Sequence, residues 1–141
     1  MVSVLSPYAY LNDAAKRIVV LARQHAEAHR SDVVGPEHLL LALIGHQRGL
    51  ASRVIERLGG DTAAVRGLVT YRVSPSPPHL PFTAATEAAI TAAAGTARRL
   101  GEPKINTGHL LLGLLTLDAH PAVRALGLDI QRVEEEIISG A

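Results

Sequence analysis

The sequence has 141 residues, and its 14 lysines and arginines nearly match its 13 aspartates and glutamates, which gives a formal net charge of +1 at pH 7. This balance argues against nucleic-acid binding, and the lack of cysteine excludes disulfide scaffolds, thiol catalysis and cysteine-bound zinc. The longest apolar runs, such as 39–44, are far shorter than the roughly 20 residues that cross a membrane, so a cytoplasmic chain is expected.

The first half of the chain predicts four helices. Asn12 can cap a helix whose apolar residues follow a period of 3.6 as far as residue 29. Pro36 favours the start of a second helix, because proline at the first helical position gives up no hydrogen bond. A third helix is predicted at about 51–58, and Asp61 caps a short fourth one.

The second half repeats this pattern of helix starts and ends after a proline-rich segment. Residues 71–81 contain four prolines, which exclude a helix interior and a central strand and predict a stiff tether. Thr83 caps a long helix that Gly101 ends. Three more helices are predicted near 107–117, 121–126 and 129–138. The acidic run from Glu134 to Glu136 is expected to be a solvated face of the last helix.

The two halves are copies of one unit. Shifting the sequence by 71 residues aligns 11–44 with 82–115, and 8 of these 34 pairs are identical, including His38 with His109. No segment alternates apolar and polar residues as a strand does. The sequence therefore predicts an all-α fold of two four-helix units related by a pseudo-twofold axis.

Two segments carry a resemblance to a known family. Residues 34–44 read Val-Gly-Pro-Glu-His-Leu-Leu-Leu-Ala-Leu-Ile, and residues 105–115 read Ile-Asn-Thr-Gly-His-Leu-Leu-Leu-Gly-Leu-Leu. Both resemble the Clp repeat, whose usual form begins Ile-Gly-Thr-Glu-His, and most of the chain is similar to the double-repeat N-terminal domain of ClpC-type Hsp100 chaperones. The resemblance implies one domain over 1–141, with repeat one at about 10–70, a linker at 71–81 and repeat two at about 82–138.

The resemblance also implies a function. In that family the domain sits on an ATP-driven unfoldase, receives substrates and adaptor proteins, and in Gram-positive members recognises phosphorylated arginine. It is not an enzyme and has no cofactor. Because this sequence has no Gly-rich phosphate-binding loop, we expect a binding module that is either excised from a longer chain or free-standing. A free-standing copy would be a decoy or regulator that competes with a ClpC-type ATPase for ligands.

A phosphoarginine site needs a carboxylate for the guanidinium group and donors for the phosphate. The family's Gly-Thr-Glu-His turn resembles such a site, but each repeat keeps only half of it. Glu37 retains the acid while Pro36 replaces the threonine, whereas Thr107 retains the hydroxyl while Gly108 replaces the acid. We therefore expect weakened phosphoarginine binding. The other interpretation of Glu37 is that its negative charge merely stabilises the N-terminus of its own helix.

The histidines allow a second class of function. His25 and His29 share a helix face at a zinc-compatible spacing, and Glu37 with His38 is an acid–base pair, so the alternative is a small metal-dependent helical enzyme. No third ligand is evident, and no metal site is expected. For His38 and His109 we favour a structural interpretation, a buried hydrogen bond that fixes the start of each helix.

A third set of residues is apolar. Tyr8, Leu11, Pro81 and Phe82 lie close to the two helix caps, and Leu11 and Phe82 are equivalent in the repeat. These two could be hydrophobic staples that fix helix entry. By resemblance to actinobacterial ClpC-like domains, the set could instead bind cyclic-peptide natural products. Glu87 stands where the family often has a basic residue, which would change selectivity.

Overall fold

The computed structural model describes residues 7–69 and 80–139, and the regular elements within them are helical. A short 3-10 turn, Pro7–Tyr10, precedes eight α-helices. These are α1 (Asp13–Ala28), α2 (Pro36–Gly45), α3 (Leu50–Arg57), α4 (Thr62–Leu68), α5 (Ala84–Arg99), α6 (Thr107–Leu115), α7 (Pro121–Leu126) and α8 (Ile130–Ile138). The predicted all-α fold of two four-helix units is confirmed. None of these eight helices is both long enough and apolar enough to cross a bilayer.

The helices begin and end within two residues of the positions that the sequence predicts. The side chains of Asn12 and Thr83 each accept a hydrogen bond from the backbone N–H three residues on, at 2.8 and 3.1 Å, and so cap α1 and α5. After α3 and α5 the chain turns at Gly59 and Gly101, whose φ angles are 73° and 75°. Glycine adopts this left-handed conformation without the steric cost of a Cβ atom.

The central helices of the fold are α2 and α6, whose residues are nearly all buried. The long first helix of each repeat packs along the central helix of the same repeat, α1 on α2 and α5 on α6. The second pair meets at Gly113, where a Cβ atom would lie only 2.1 Å from the carbonyl oxygen of Ala89. Ala42 stands at the equivalent position of the first repeat, so only the second repeat requires glycine there.

Two isolated parallel bridges join the repeats to each other. Leu11 pairs with Ile105, and Val34 pairs with Phe82. The 71-residue shift converts one pair into the other. In each repeat, the segment before the first helix therefore pairs with the loop that precedes the central helix of the other repeat. The matching hydrogen bonds run from Asn12 N to the Ile105 oxygen at 2.9 Å and from the equivalent Thr83 N to the Val34 oxygen at 3.1 Å. This exchange confirms the pseudo-twofold relation.

The bridges also replace the hydrophobic staples that were one interpretation of Leu11 and Phe82. A staple needs an apolar residue at the fourth position of the helix that follows. Those positions are occupied by Lys16 in α1 and Glu87 in α5, both charged and exposed. The entry angle of each helix is therefore set by backbone pairing between repeats.

The acidic run on α8 is not a simple solvated face. Glu134 forms a bidentate ion pair with Arg99 of α5. The Oε2 atom of Glu136 lies 3.4 Å from Nε of Arg57 of α3. The hydrogen bond from Arg99 lowers the pKa of Glu134. Only the middle glutamate, Glu135, conforms to the expectation. Two of the three acids thus connect the last helix to the helices on either side of it.

The tether predicted at 71–81 lies outside the described residues, apart from its last two positions. Leu80 is buried, and its carbonyl oxygen accepts a hydrogen bond from Arg23 at 2.9 Å. Pro81 is exposed, and its carbonyl oxygen accepts a hydrogen bond from Val34 N at 2.8 Å. The end of the linker is thereby fixed to α1 and to the loop that precedes α2.

Candidate functional site

An aromatic pair lies on the surface where the two repeats meet. The rings of Tyr8 and Phe82 are stacked, with centroids 6.0 Å apart and an angle of 12° between their planes. The guanidinium carbon of Arg23 lies 5.0 Å from the centroid of the Phe82 ring, a distance at which a cation is attracted to the ring face. Both rings are half-buried, so each keeps an accessible part.

The other predicted members of this group differ in how far they reach the surface. Glu87 is exposed, and it lies close enough to Tyr8 that its charge adds to burial, the larger effect, in raising the pKa of the Tyr8 hydroxyl. Leu11 is only 2% exposed, so it supports the group from within and presents no surface. We call the surface group of Tyr8, Arg23, Pro81, Phe82 and Glu87 the aromatic face; Pro81 and Glu87 are exposed and the other three are half-buried.

Arg23 is the member of the aromatic face that sequence reasoning missed. The helical period places it away from the apolar stripe of α1, which is typical of a solvated side chain. Its hydrogen bond to the Leu80 carbonyl oxygen holds it across the start of the second repeat instead. No local pattern could show this, because the partner is 57 residues away in sequence.

The two repeated histidines have the structural role favoured from the sequence. His38 Nδ1 accepts a hydrogen bond from Gly35 N at 2.9 Å, and His109 Nδ1 accepts one from Asn106 N at 3.0 Å. Both rings are buried, and burial lowers the pKa of both. Each ring is therefore neutral, with its proton on Nε2, and locks the turn before a central helix.

The carboxylate of Glu37 is occupied within the chain. Its Oε2 atom lies 3.3 Å from Nε2 of His120. Because Nδ1 of His120 accepts a hydrogen bond from Ala122 N at 3.2 Å, the ring proton is on Nε2 and faces the carboxylate. The other oxygen, Oε1, lies 3.4 Å from Nδ1 of His38, but that nitrogen is an acceptor in a neutral ring, so this contact is not an ion pair.

In the second repeat, the equivalent turn at Thr107 and Gly108 makes different contacts. Thr107 is only 3% exposed, and its hydroxyl oxygen accepts a hydrogen bond from Ala51 N at the start of α3, at 3.2 Å. A Cβ atom on Gly108 would lie 2.9 Å from a methyl of Leu50 and 3.1 Å from a methyl of Ile137. The hydroxyl of this turn is thus already used, and side chains cover the position of the family's acid.

The remaining histidines lie along α1. The rings of His25 and His29 have centroids 6.5 Å apart, and Nδ1 of His29 lies 2.8 Å from the carbonyl oxygen of His25. Burial is the main cause that lowers the pKa of His25. Within residues 7–69 and 80–139, no group of three or more potential ligands could hold a metal ion. The enzyme alternative therefore gains no third ligand from the described part of the chain.

Comparison with known proteins gives the family. The model of the Clp repeat (R) N-terminal domain matches residues 10–80 and again residues 81–140. An uncharacterized protein of Mycobacterium tuberculosis is 32% identical over 128 residues, which cover 89% of this chain and 51% of that protein. The chain thus spans about half the length of such curated relatives.

A chaperone and a solved domain extend the comparison. The chloroplastic chaperone protein ClpC2 of Oryza sativa is 29% identical over 140 residues, which cover 94% of this chain and 15% of the chaperone. The structure of a ClpV N-domain in complex with a VipB peptide matches with a TM-score of 0.78 and 17% identity, over 97% of this chain and 91% of that one. With both repeats matched by the family model and the same fold in a Clp N-domain, the chain belongs to the Clp repeat family.

Proposed function

We propose that this chain is a non-catalytic module that binds substrates, adaptor proteins or small peptides of the Clp chaperone–protease system. Family membership supports the system, and the solved ClpV N-domain, which holds a VipB peptide, supports the mode of action. The fold offers a helical surface on which recognition occurs without a covalent step. A ClpC-type ATPase is the matching motor.

The observation that carries the proposal is the aromatic face. A stacked pair of half-buried rings, Tyr8 and Phe82, provides a flat apolar area, and the bond from Arg23 to the Leu80 carbonyl oxygen holds its cation over that area. Rigid aromatic side chains bury much area on binding at little entropic cost, and they are enriched among residues that dominate interfaces. Opposite charges on Arg23 and Glu87 can then orient a ligand on this area.

This chemistry suits an apolar cyclic peptide. Such a ligand is pre-organised, so little conformational entropy is lost when its apolar side chains cover the rings. Glu87, exposed beside Tyr8, gives the face a carboxylate in place of the family's basic residue. We therefore propose cyclic-peptide natural products as ligands, with a preference for those that carry a positive charge.

Phosphoarginine binding is proposed to be weakened in both repeats. In the first, a guanidinium group must displace His120 from Glu37, and Pro36 offers neither a hydroxyl nor an N–H to the phosphate. In the second, Thr107 already accepts its hydrogen bond from Ala51, and Leu50 covers Gly108. Calorimetric titration with free phosphoarginine tests this directly, because micromolar binding to both repeats would contradict it.

A copy of this module that acts without an ATPase would be a competitor. It would hold substrates, adaptors or cyclic-peptide antibiotics that a full-length unfoldase also binds, and so act as a decoy or regulator. In a degradation assay with a ClpC-type ATPase and its protease, added module should slow the turnover of a labelled substrate in proportion to its concentration. A rate that does not respond to a large molar excess would exclude this role.

The binding experiment is a titration of a fluorescent apolar cyclic peptide into the chain and two variants. Phe82→Ala removes one ring of the stack and should weaken binding by at least tenfold, which is the effect of losing a central aromatic contact of about 1.4 kcal/mol or more. Tyr10→Ala is the control, because Tyr10 is an exposed aromatic residue in the 3-10 turn that also holds Tyr8, and it is not part of the aromatic face. Equal effects of the two changes, or no saturable binding, would contradict the proposal.

A further inference from the structure

A cleft of about 250 Å³ lies on the side of the second repeat's central helix. Its walls are aliphatic and come from three helical segments, with Leu50 from α3, Leu100 from the end of α5, and Ile137 and Ile138 from α8. Ile138 is 63% exposed, so part of this apolar side chain faces solvent at the edge of the cleft. The remaining lining residues are polar and consist of Glu102, Asn106 and His109.

One histidine with a hydrogen-bond donor lines the cleft. His109 is 1% exposed, and its Nδ1 atom accepts the hydrogen bond from Asn106 N, which leaves the ring proton on Nε2. Among the residues that the structure describes, no hydrogen-bond partner faces this Nε2–H. This donor is therefore available to an acceptor placed in the cleft.

The charge at the rim is negative. Glu102 is the charged residue that lines the cleft, and its carboxylate acts on His109, where its charge opposes the effect of burial. Arg99, which lies nearby in sequence, is bound to Glu134 on α8. A positively charged group arriving beside the cleft would therefore find an exposed carboxylate to pair with.

The size of the cleft limits the ligand. Pockets for whole drug-sized molecules measure roughly 300–1,000 Å³, so about 250 Å³ fits one large side chain and little more. The aliphatic walls favour leucine, isoleucine or phenylalanine, the Nε2–H of His109 favours a carbonyl oxygen beside that side chain, and Glu102 favours a neighbouring cation. These three requirements describe a short peptide segment.

We propose that this cleft anchors one large apolar side chain of a peptide in which a basic residue stands next to it. The ligand's main-chain carbonyl accepts the hydrogen bond from His109, and its cation pairs with Glu102. The inference rests on the proposed peptide-binding function and adds a second anchor, separate from the aromatic face, with a stated sequence preference.

The test uses blocked dipeptides and nuclear magnetic resonance of the intact chain. Acetyl-Leu-Arg-amide should shift the backbone signals of Leu50, Asn106 and Ile138 in a saturable way and move the Nε2 signal of His109. It should bind at least twofold tighter than acetyl-Leu-Glu-amide, since an exposed charge pair changes affinity by about this much. Acetyl-Ser-Arg-amide, which lacks the apolar side chain, should give no saturable shift.

Two pairs of variants complete the test. Ile138→Ser should weaken acetyl-Leu-Arg-amide about fivefold through lost apolar contact, whereas Ile130→Ser is the control, because Ile130 is an exposed isoleucine of the same helix that does not line the cleft. Glu102→Gln should remove the preference for arginine over glutamate. Equal effects at 138 and 130, or a preference that survives Glu102→Gln, would overturn the proposal.

The outcomes separate this inference from the proposed function. If Phe82→Ala abolishes dipeptide binding and Ile138→Ser does not, the dipeptide binds the aromatic face, and the cleft is not an anchor although the module still binds peptides. If the dipeptide binds the cleft in a saturable way while the cyclic peptide fails to bind, the proposed anchor is supported and the ligand proposed for the aromatic face is wrong.

Discussion

The hydroxyl of Thr107 and the imidazole of His120 cap equivalent helices in opposite repeats. Thr107 accepts the hydrogen bond of Ala51 N at the start of α3, and His120 accepts that of Ala122 N at the start of α7. The 71-residue shift pairs Ala51 with Ala122 but pairs Thr107 with Pro36, which has no hydroxyl. A histidine at the N-cap of α7 therefore restores the hydrogen bond that Pro36 cannot make.

Replacing the capping hydroxyl of Thr107 should destabilise the fold. Thr107→Val preserves the shape of a buried side chain but leaves Ala51 N without an acceptor, and loss of such a cap costs about 1 kcal/mol. Urea denaturation followed by circular dichroism measures the change in the free energy of unfolding. Thr91→Val, at an exposed position of α5, is the control and should change it by less than about 0.5 kcal/mol. Similar losses from both variants would show that Thr107 is not a cap.

The contact between Glu37 and His120 should appear as an energetic coupling. In His120→Asn the N-cap keeps a side-chain oxygen for Ala122 N, but the shorter side chain no longer reaches the carboxylate. Glu37→Gln should therefore cost about 0.5–1 kcal/mol in the natural sequence and close to nothing in the His120→Asn background, because the pair is largely shielded from solvent. Unfolding curves of the natural protein, the two single variants and the double variant give this double-mutant cycle, and strictly additive effects would contradict the contact.

The close approach of α5 and α6 gives the largest expected effect on stability. Gly113→Ala places a methyl 2.1 Å from the carbonyl oxygen of Ala89, a backbone atom that cannot move without shifting α5. We expect a loss of about 3 kcal/mol, at the upper end for overpacking. The reciprocal change in the first repeat, Ala42→Gly, should cost only about 1 kcal/mol for glycine inside a helix. A Gly113→Ala protein as stable as the natural one would disprove this packing.

The repetition of the sequence accounts for most of the fold that could be predicted. Asn12, Thr83, Gly59 and Gly101 act within one helical turn of their positions, so local spacing is enough to identify them. The pairing of Leu11 with Ile105 could not be predicted in this way, since it joins residues from different repeats. The sequence is compatible with hydrophobic staples because no local pattern shows that the two repeats exchange segments.

In the candidate sites, too, local features could be predicted from the sequence and contacts between distant residues could not. Residue type and position single out Tyr8 and Phe82, whereas the helical period places Arg23 away from the apolar stripe of α1, because nothing local shows that its hydrogen-bond partner is 57 residues away. His120 went unnoticed for the same reason, although its place before Pro121 at a helix start was a usable signal. Contacts between repeats decide which residues of the repeated turn remain available to a ligand.

Acid should destabilise the protein below about pH 6.5. Burial lowers the pKa of His25, His38 and His109 in the folded state, so between those values and the ordinary 6.5 the unfolded chain binds more protons than the folded one. The free energy of unfolding should therefore be level above pH 6.5 and fall as the pH drops from 6.5 toward 5, a range in which most carboxylates stay ionised. Chemical denaturation at half-unit intervals gives the profile, and imidazole resonances give the three pKa values. A level profile from pH 7.5 to 5 would contradict the lowered pKa values of the three rings, and a pKa of His109 at or above 6.5 would contradict its neutral, turn-locking role.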